Sequence, residues 1–293
     1  MSSSELQAKK KPAWLKVKFP SHQNYFQVSH LIKEHNIHTI CQSARCPNIA
    51  ECWTHRTATF LILGDTCTRN CAFCAVKKGT PAPPAKDEAS RVARTAAAMG
   101  LRYVIVTSVT RDDLFDGGAF LFVDTIKAIR QKIPAAKIEV LTPDFNGDQE
   151  ALMSVVVAQP DIFNHNVEVP ESLFPSINRP QTNYRRSLSV LERAKEFGAI
   201  TKSGMMIGLG ESTEDILHTF SDLRRSGCNL LTIGQYLQPT RQHIPVVKYY
   251  SPQKFSQLKN IALDQGFQEV ESGPLIRSSY GAQRMYRSLT AKN

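Results

Sequence analysis

From Ala58 onward the chain alternates short apolar, β-rich runs with amphipathic helical patterns, and this alternation restricts the fold more than any other feature. Ala58 to Gly64 reads as a first strand, and Asp87 caps an Ala-rich helix that ends at Gly100. Arg102 to Ser108 is a second strand with a helix from Ala119 to Ile133; Lys137 to Leu141 is a third, with a helix near Gln149 to Ala158. Asp161 to Glu168 is a fourth with a helix from Tyr184 to Phe197, and Thr201 to Ile207 a fifth, followed by a helix that Ser212 caps and that ends near Ser226. Asn229 to Gly234 is the sixth, and Pro252 to Asp264 a later helix. Strands separated by helices need crossover connections and so run parallel. Such units close toward a barrel or open as a doubly wound sheet. No G-x-G-x-x-G follows the first strand, which disfavours the dinucleotide-binding version. The expected fold class is therefore α/β, a partial (β/α)6 TIM-type barrel with N-terminal and C-terminal extensions. Residues 1–56 form the first extension, 57–240 the barrel and 241–293 the second. The active site belongs at the C-terminal ends of the strands.

A chain of 293 residues suits one such domain and buries enough surface to fold without metal or disulfide staples. It holds seven cysteines, an odd number, and six of them lie between positions 41 and 74. Met1 to Lys11 lacks the apolar core of a secretory signal, so clustered cysteines point to metal rather than disulfides, with cytoplasm as the expected compartment. No apolar run approaches the ~18 residues of a membrane span. Thirty-six Lys and Arg against 26 Asp and Glu give a formal charge of +10. That excess is either a solvated surface or a face for an acidic partner, with an acidic protein favoured over nucleic acid because the basic residues form no long run beyond Lys9, Lys10 and Lys11.

Directly after the first strand stands Cys67-Thr-Arg-Asn-Cys71-Ala-Phe-Cys74. Soft thiolates select iron–sulfur clusters, zinc or copper(I). A structural zinc site usually wants four ligands, and this local set stops at three. A [4Fe–4S] cube held by three cysteines leaves one iron open to an exchangeable ligand. Cys41, Cys46 and Cys52 form a second set, spaced C-x4-C-x5-C, which is not a zinc-knuckle spacing. Its alternative is zinc completed by His38 or His55; two three-cysteine sets fit two clusters better. Cys228 stands alone at the start of an apolar strand and reads as an inert core residue.

The first spacing, with Phe73 before its last cysteine, resembles the signature of the radical S-adenosylmethionine (SAM) superfamily. The two spacings in this order are similar to those of the lipoyl synthases. So are Thr107-Ser-Val-Thr-Arg-Asp-Asp-Leu, Thr142-Pro-Asp-Phe, Phe163-Asn-His-Asn, the run from Lys202 to Glu211, Leu231 to Pro239, and Arg277-Ser-Ser-Tyr280. One segment departs: where such sequences read Glu-Thr-Val-Pro-Arg, this chain has Glu168-Val-Pro-Glu-Ser-Leu, with Ile177-Asn-Arg179-Pro further on.

The resemblance implies two [4Fe–4S] clusters and SAM. Cys67, Cys71 and Cys74 would hold the cluster that SAM chelates and from which a 5′-deoxyadenosyl radical arises. Cys41, Cys46 and Cys52 would hold an auxiliary cluster that donates sulfur, its fourth ligand a serine of the Arg-Ser-Ser-Tyr motif, Ser279 or, second, Ser278. Phe73, Thr107, Ser108, Asn164, Asn166, Glu168, Lys202 and Gln235 become the expected SAM-site residues. Asn164, Asn166 and Glu168 alternate with period two and so share one face of the fourth strand. Asp112, Asp113 and Asp116 are read as loop or helix-capping residues. The implied reaction inserts sulfur at C6 and C8 of an octanoyl group on a carrier lysine. The expected partners are lipoyl carrier domains of 2-oxoacid dehydrogenases or the glycine-cleavage H protein, and an electron donor such as flavodoxin or ferredoxin. Nucleic acid and membrane are not expected partners, and a monomer is expected. Two other readings stay open: an auxiliary cluster that relays electrons in a dehydrogenation or peptide modification, and a non-enzymatic nucleic-acid-binding protein with a structural cluster.

Overall fold

The computed structural model describes residues 11–17, 19–179 and 182–291. After helix α1 (Gln23–Glu34) come the short strand β1 (His38–Thr39) and the small helices α2 (Ile40–Ser43) and α3 (Ile49–Thr54). Strand β2 (Thr59–Ile62) is followed by a minor pair, β3 (Thr66–Cys67) and β4 (Lys77–Lys78), and then by α4 (Glu88–Ala98). The repeating units are β5 (Tyr103–Ser108) and α5 (Ala119–Lys132), β6 (Lys137–Leu141) and α6 (Gln149–Val157), β7 (Ile162–Asn164) and α7 (Tyr184–Glu196), and β8 (Thr201–Ile207) and α8 (Thr213–Arg225). They end with β9 (Leu230–Gln235), α9 (Pro252–Asp264), β10 (Glu269–Gly273) and α10 (Ala282–Ala291).

Eight strands form one sheet in the order β1-β2-β5-β6-β7-β8-β9-β10, parallel from β2 to β10. Only β1 runs antiparallel, at one edge. The curved sheet does not close, so the architecture is a partial barrel. Period-two alternation divides its faces: on β5, Val104 and Val106 join the core under the helices, while Tyr103, Ile105 and Thr107 line an inner chamber. Ser212 and Asp215 form a capping box on α8, and the Asp116 carboxylate accepts from the N–H groups of Gly118 and Phe120 at the head of α5, whereas Asp87 stands at the N-cap of α4 without a side-chain capping bond.

The fourth strand is shorter than its sequence suggests. It ends at Asn164 and not at Glu168, because the backbone leaves the ladder and Glu168 takes a left-handed φ of 69° before bridging once to Met205. Asn164, Asn166 and Glu168 therefore do not share one strand face. A further parallel strand, β10, continues the sheet inside the segment expected as the C-terminal extension. Its sequence, Glu269-Val-Glu-Ser-Gly, lacks the apolar run that marks the other strands.

Helix α10 lies across the barrel's lower end. Met285 and Leu289 pack on Ile162 and Leu230, the Tyr286 ring stands 5.7 Å from Tyr103, and Ser288 reaches Glu269 at 2.6 Å. These partners all sit at the N-terminal ends of strands, so the lower mouth is plugged and the chamber opens elsewhere.

Gly118 shows how tightly the layers fit: its φ is +88°, and a Cβ there would lie 2.3 Å from Leu63 Cδ1. Gly118→Ala is expected to cost about 2–4 kcal/mol, the sum of left-handed strain and overpacking. Gly100→Ala, at φ +68° with nothing within 4 Å, should cost only about 1–2 kcal/mol. Urea-denaturation midpoints of the two variants test the difference.

Candidate functional site

The first cysteine set occupies the loop between β3 and β4, whose pairing (Thr66 with Lys77, Cys67 with Lys78) closes the loop on itself. Arg69, 3% exposed, fixes the loop to the barrel rim. Its Nε and Nη2 donate to the two Asp112 oxygens at 2.8 Å each, and Nη2 also reaches Asp144 Oδ1 at 2.7 Å. Asp112 and Asp144 follow β5 and β6, so one guanidinium ties three loops together. Burial alone would raise the Asp144 carboxyl, but the hydrogen bond and charge of Arg69 outweigh it and hold it at about 2. Further along, Ala72 N–H donates to the Ile177 carbonyl at 2.8 Å, and His243 Nε2 lies 3.0 Å from the Cys74 carbonyl. Burial pushes the Cys71 thiol up to about 12 and Cys74 to about 11, and Cys67 and Glu168 add to both. The three sulfurs and Glu168 thus lie within electrostatic reach of one another.

The second set is carried by the small helices: Cys41 on α2, Cys46 in the turn after it and Cys52 on α3. Arg45 turns the chain between them with a left-handed φ of 51°. Burial lifts Cys41 to about 11 and Cys52 to about 12, and neighbouring sulfurs of the set raise both further. Cys46 is also raised by burial, with Arg277 opposing. All three line a chamber of about 570 Å³, together with Arg277, Ser278, Ser279 and Tyr280. Its other wall is the barrel's inner face, including Thr107, Asn166, Glu168, Gly204 and Thr232.

The SAM-site residues expected from the sequence separate into two groups. Thr107, Asn166 and Glu168 face the chamber. Phe73 is half-buried within the cysteine loop, and Ser108 ends β5 with a buried hydroxyl that lacks a protein partner. Lys202, Asn164 and Gln235 are not brought to the chamber. Lys202 is the second residue of its strand, at the barrel's lower half, where its Nζ pairs with Glu139 Oε1 at 2.8 Å. Asn164 donates to the same carboxylate oxygen at 3.1 Å. Gln235 spends its amide on the carbonyls of Ile207, Tyr236 and Lys248, and its oxygen on Tyr250 N–H. Strand position alone does not reveal such inward-pointing polar partners.

Sequence reasoning also passed over residues that the fold makes prominent. Arg69, inside the cysteine motif, is the loop clamp. Arg277 is a half-buried guanidinium beside Cys46 that hydrogen-bonds the Ile276 carbonyl at 2.6 Å; desolvation by its surroundings holds it below its ordinary value. Tyr280 Oη donates to Glu51 Oε1 at 2.8 Å. Burial first and that bond second push its phenol up to about 12. The motif positions of Arg277 and Tyr280 were the available signal, but their partners lie far away in sequence.

Among the described residues, no three His, Cys, Asp or Glu side chains converge at single-ion spacing. One zinc ion needs its ligands around a point, whereas each thiolate of a cubane binds its own iron and stands farther from its fellows.

A model of the radical SAM superfamily matches residues 61–223, which places the barrel and its cysteine loop in that class of enzyme. The crystal structure of methylornithine synthase shares the fold, with a TM-score of 0.55 at 12% identity over 80% of this chain and 81% of that one. A second model, the N-terminal domain of lipoyl synthase, matches residues 2–46. The lipoyl synthase of Rubrobacter xylanophilus is 52% identical over 274 residues, 93% of this chain and 85% of its own. That of Bacillus cereus is 47% identical over 293 residues, 99% of this chain and 98% of its own. The chain belongs to the lipoyl synthase family. Its activity is that of the family, a radical SAM sulfurtransferase of lipoate biosynthesis that works with SAM and [4Fe–4S] clusters on lipoyl carrier proteins.

Arg69→Leu would leave Asp144 buried without its main cation, at an expected cost of about 3–5 kcal/mol near neutral pH. Because the folded carboxyl sits at about 2, below its ordinary 3.8, the pair's contribution is present above about pH 4 and lost as pH falls toward 2. The gap between wild-type and variant urea midpoints should therefore shrink across that window.

Proposed function

We propose that Cys67, Cys71 and Cys74 hold the SAM-binding cluster, and that Cys41, Cys46, Cys52 and Ser279 hold the auxiliary cluster that serves as sulfur donor. The observation that carries this reading is the single chamber lined by the second set of thiols, the Arg-Ser-Ser-Tyr turn and the barrel's inner face. Glu168 belongs to that wall and acts electrostatically on Cys71 and Cys74, so it connects the two cysteine sets. Ser279 is preferred over Ser278 on hydrogen-bonding grounds. Ser278 Oγ already exchanges two bonds with the Asn166 amide, at 2.9 and 3.1 Å, whereas no protein partner among the described residues takes the Ser279 hydroxyl.

When bound, SAM and the two clusters supply the radical that removes hydrogen at C6 and C8 of the octanoyl chain and the sulfur that replaces it. The protein's own part is to position and enclose. Ile105, Leu141, Met206 and Ile276 give the chamber apolar surface for an acyl chain, and α10 with Tyr103 stops it below. Thr107, Asn166 and Glu168 present polar groups on the barrel side for the ribose and amino-acid parts of SAM, with Phe73 and Ser108 near the loop. Arg277 sets a positive charge beside the auxiliary thiols.

The carrier is a lipoyl domain of a 2-oxoacid dehydrogenase or the glycine-cleavage H protein, and the reductant a flavodoxin or ferredoxin. A formal charge of +10 favours docking of such acidic partners. The enzyme works as a monomer in the cytoplasm; no helix among the described residues is long and apolar enough to cross a membrane.

Anaerobic protein reconstituted with iron and sulfide, then given SAM, reductant and an octanoyl-lysine carrier peptide, should add two sulfur atoms to the peptide by mass. Cys41→Ala should abolish that gain while SAM is still cleaved, and Cys71→Ala should abolish both. SAM cleavage by wild-type protein without any sulfur gain would overturn the reading.

A further inference from the structure

The turn that carries Ser279 has no regular structure of its own; it links β10 to α10. Three side chains from distant segments hold it. Asn48 Nδ2 donates to the Leu275 carbonyl at 2.6 Å, Tyr280 Oη to Glu51 Oε1 at 2.8 Å, and Ser278 exchanges two hydrogen bonds with Asn166. Two of these anchors involve the residues on either side of Ser279. Two also start from the cysteine-bearing segment: Asn48 lies just past Cys46, and Glu51 is the neighbour of Cys52. The barrel side is equally closely fitted, since a Cβ on Gly204 would lie 2.7 Å from Asn166 Oδ1 and 2.8 Å from Ser278 Oγ.

A serine oxygen is a hard donor at a site of soft thiolates, and is the weakest member of that ligand set. How long such a ligand stays depends on how little freedom its backbone has when it lets go. We propose that Tyr280–Glu51 and Ser278–Asn166 form a two-point latch that holds the Ser279 hydroxyl at the Cys41, Cys46 and Cys52 site, so that retention of the fourth ligand depends on these positioning residues. The inference rests on the assignment of Ser279 made above. It gives the serine and tyrosine that flank Ser279 in the motif a physical task, one on each side of the ligand. It also explains why the barrel wall narrows to glycine at position 204, where any side chain would push the Ser278 anchor away.

The test uses full-length chain in which Cys67, Cys71 and Cys74 are alanine, so that only the auxiliary site binds iron. After anaerobic reconstitution, iron per chain and the electron paramagnetic resonance signal of three-iron clusters are measured. Ser279→Ala should lose one iron and give the three-iron signal. Tyr280→Phe, which removes only the hydroxyl, and Ser278→Ala should each raise the three-iron fraction about fivefold over the parent, the equilibrium effect of one hydrogen bond. Ser278→Thr, which keeps the hydroxyl, and Glu51→Gln, which keeps an acceptor, should stay near the parent. Glu51→Ala combined with Tyr280→Phe should be no worse than either alone. Parental iron retention in Tyr280→Phe and Ser278→Ala, with loss in Ser279→Ala, would overturn the latch and leave the ligand assignment standing. Four irons retained in Ser279→Ala would overturn both.

Discussion

The parallel hydrogen-bond ladder from β2 to β10 is the constraint on which the other features depend. Because helices return outside the sheet between successive parallel strands, those strands deliver their C-terminal ends to the same rim. The cysteine loop after β2, Asp112 after β5, Asp144 after β6 and Glu168 after β7 are neighbours for that reason alone. The ladder also stops short of closing. Its two edges, β1 and β10, are followed by the segments that carry Cys41 to Cys52 and Ser279, and side chains join those segments where no backbone ladder does. An open sheet edge is otherwise a template for unwanted pairing; here the opening is filled by the second cysteine set and its chamber.

The electrostatics of the two cysteine sets share one cause. Burial raises Cys41, Cys46, Cys52, Cys71 and Cys74, and nearby cations oppose it at three of them: Arg179 at Cys71, Lys78 at Cys74 and Arg277 at Cys46. Without a cation, such sulfurs are held as neutral thiols. Iron bound there would supply the positive charge that makes them thiolates, so ligand binding and proton release would be coupled. Arg69 does a different job. Its charge is consumed by Asp112 and Asp144, so it orders the loop and leaves the sulfurs their polarity.

Much of the architecture was legible in local patterns. Lys137–Leu141, Thr201–Ile207 and Pro252–Asp264 carry the bounds that periodicity and turn residues assign them, because each is marked by its own apolar spacing and its own cap or breaker. The fourth strand was misread where a backbone angle departs from the pattern: nothing in Asn-His-Asn-Val-Glu announces a left-handed Glu168. Strand β10 carries no apolar run because its Glu269 and Glu271 reach Ser288 and Arg284 on α10 and not a buried interior. Lys202 and Gln235 look like site residues on their strands, and only Glu139 and the 248–250 backbone reveal that they serve the barrel instead.

The sequence by itself determined the chemistry available: six clustered cysteines in two spacings, a motif with two serines, and a strand–helix rhythm that makes the strands run parallel. Tertiary structure decided which of those groups meet. Arg69 and Asp144 are 75 residues apart, Asn166 and Ser278 112, and Glu51 and Tyr280 229. Periodicity reports on neighbours a few residues away, while these contacts depend on the register of a whole sheet and on the gap it leaves unclosed. That is why the sequence offered Ser278 and Ser279 alike, and only the fold showed that Ser278 is engaged with Asn166 while Ser279 has no hydroxyl partner among the described residues.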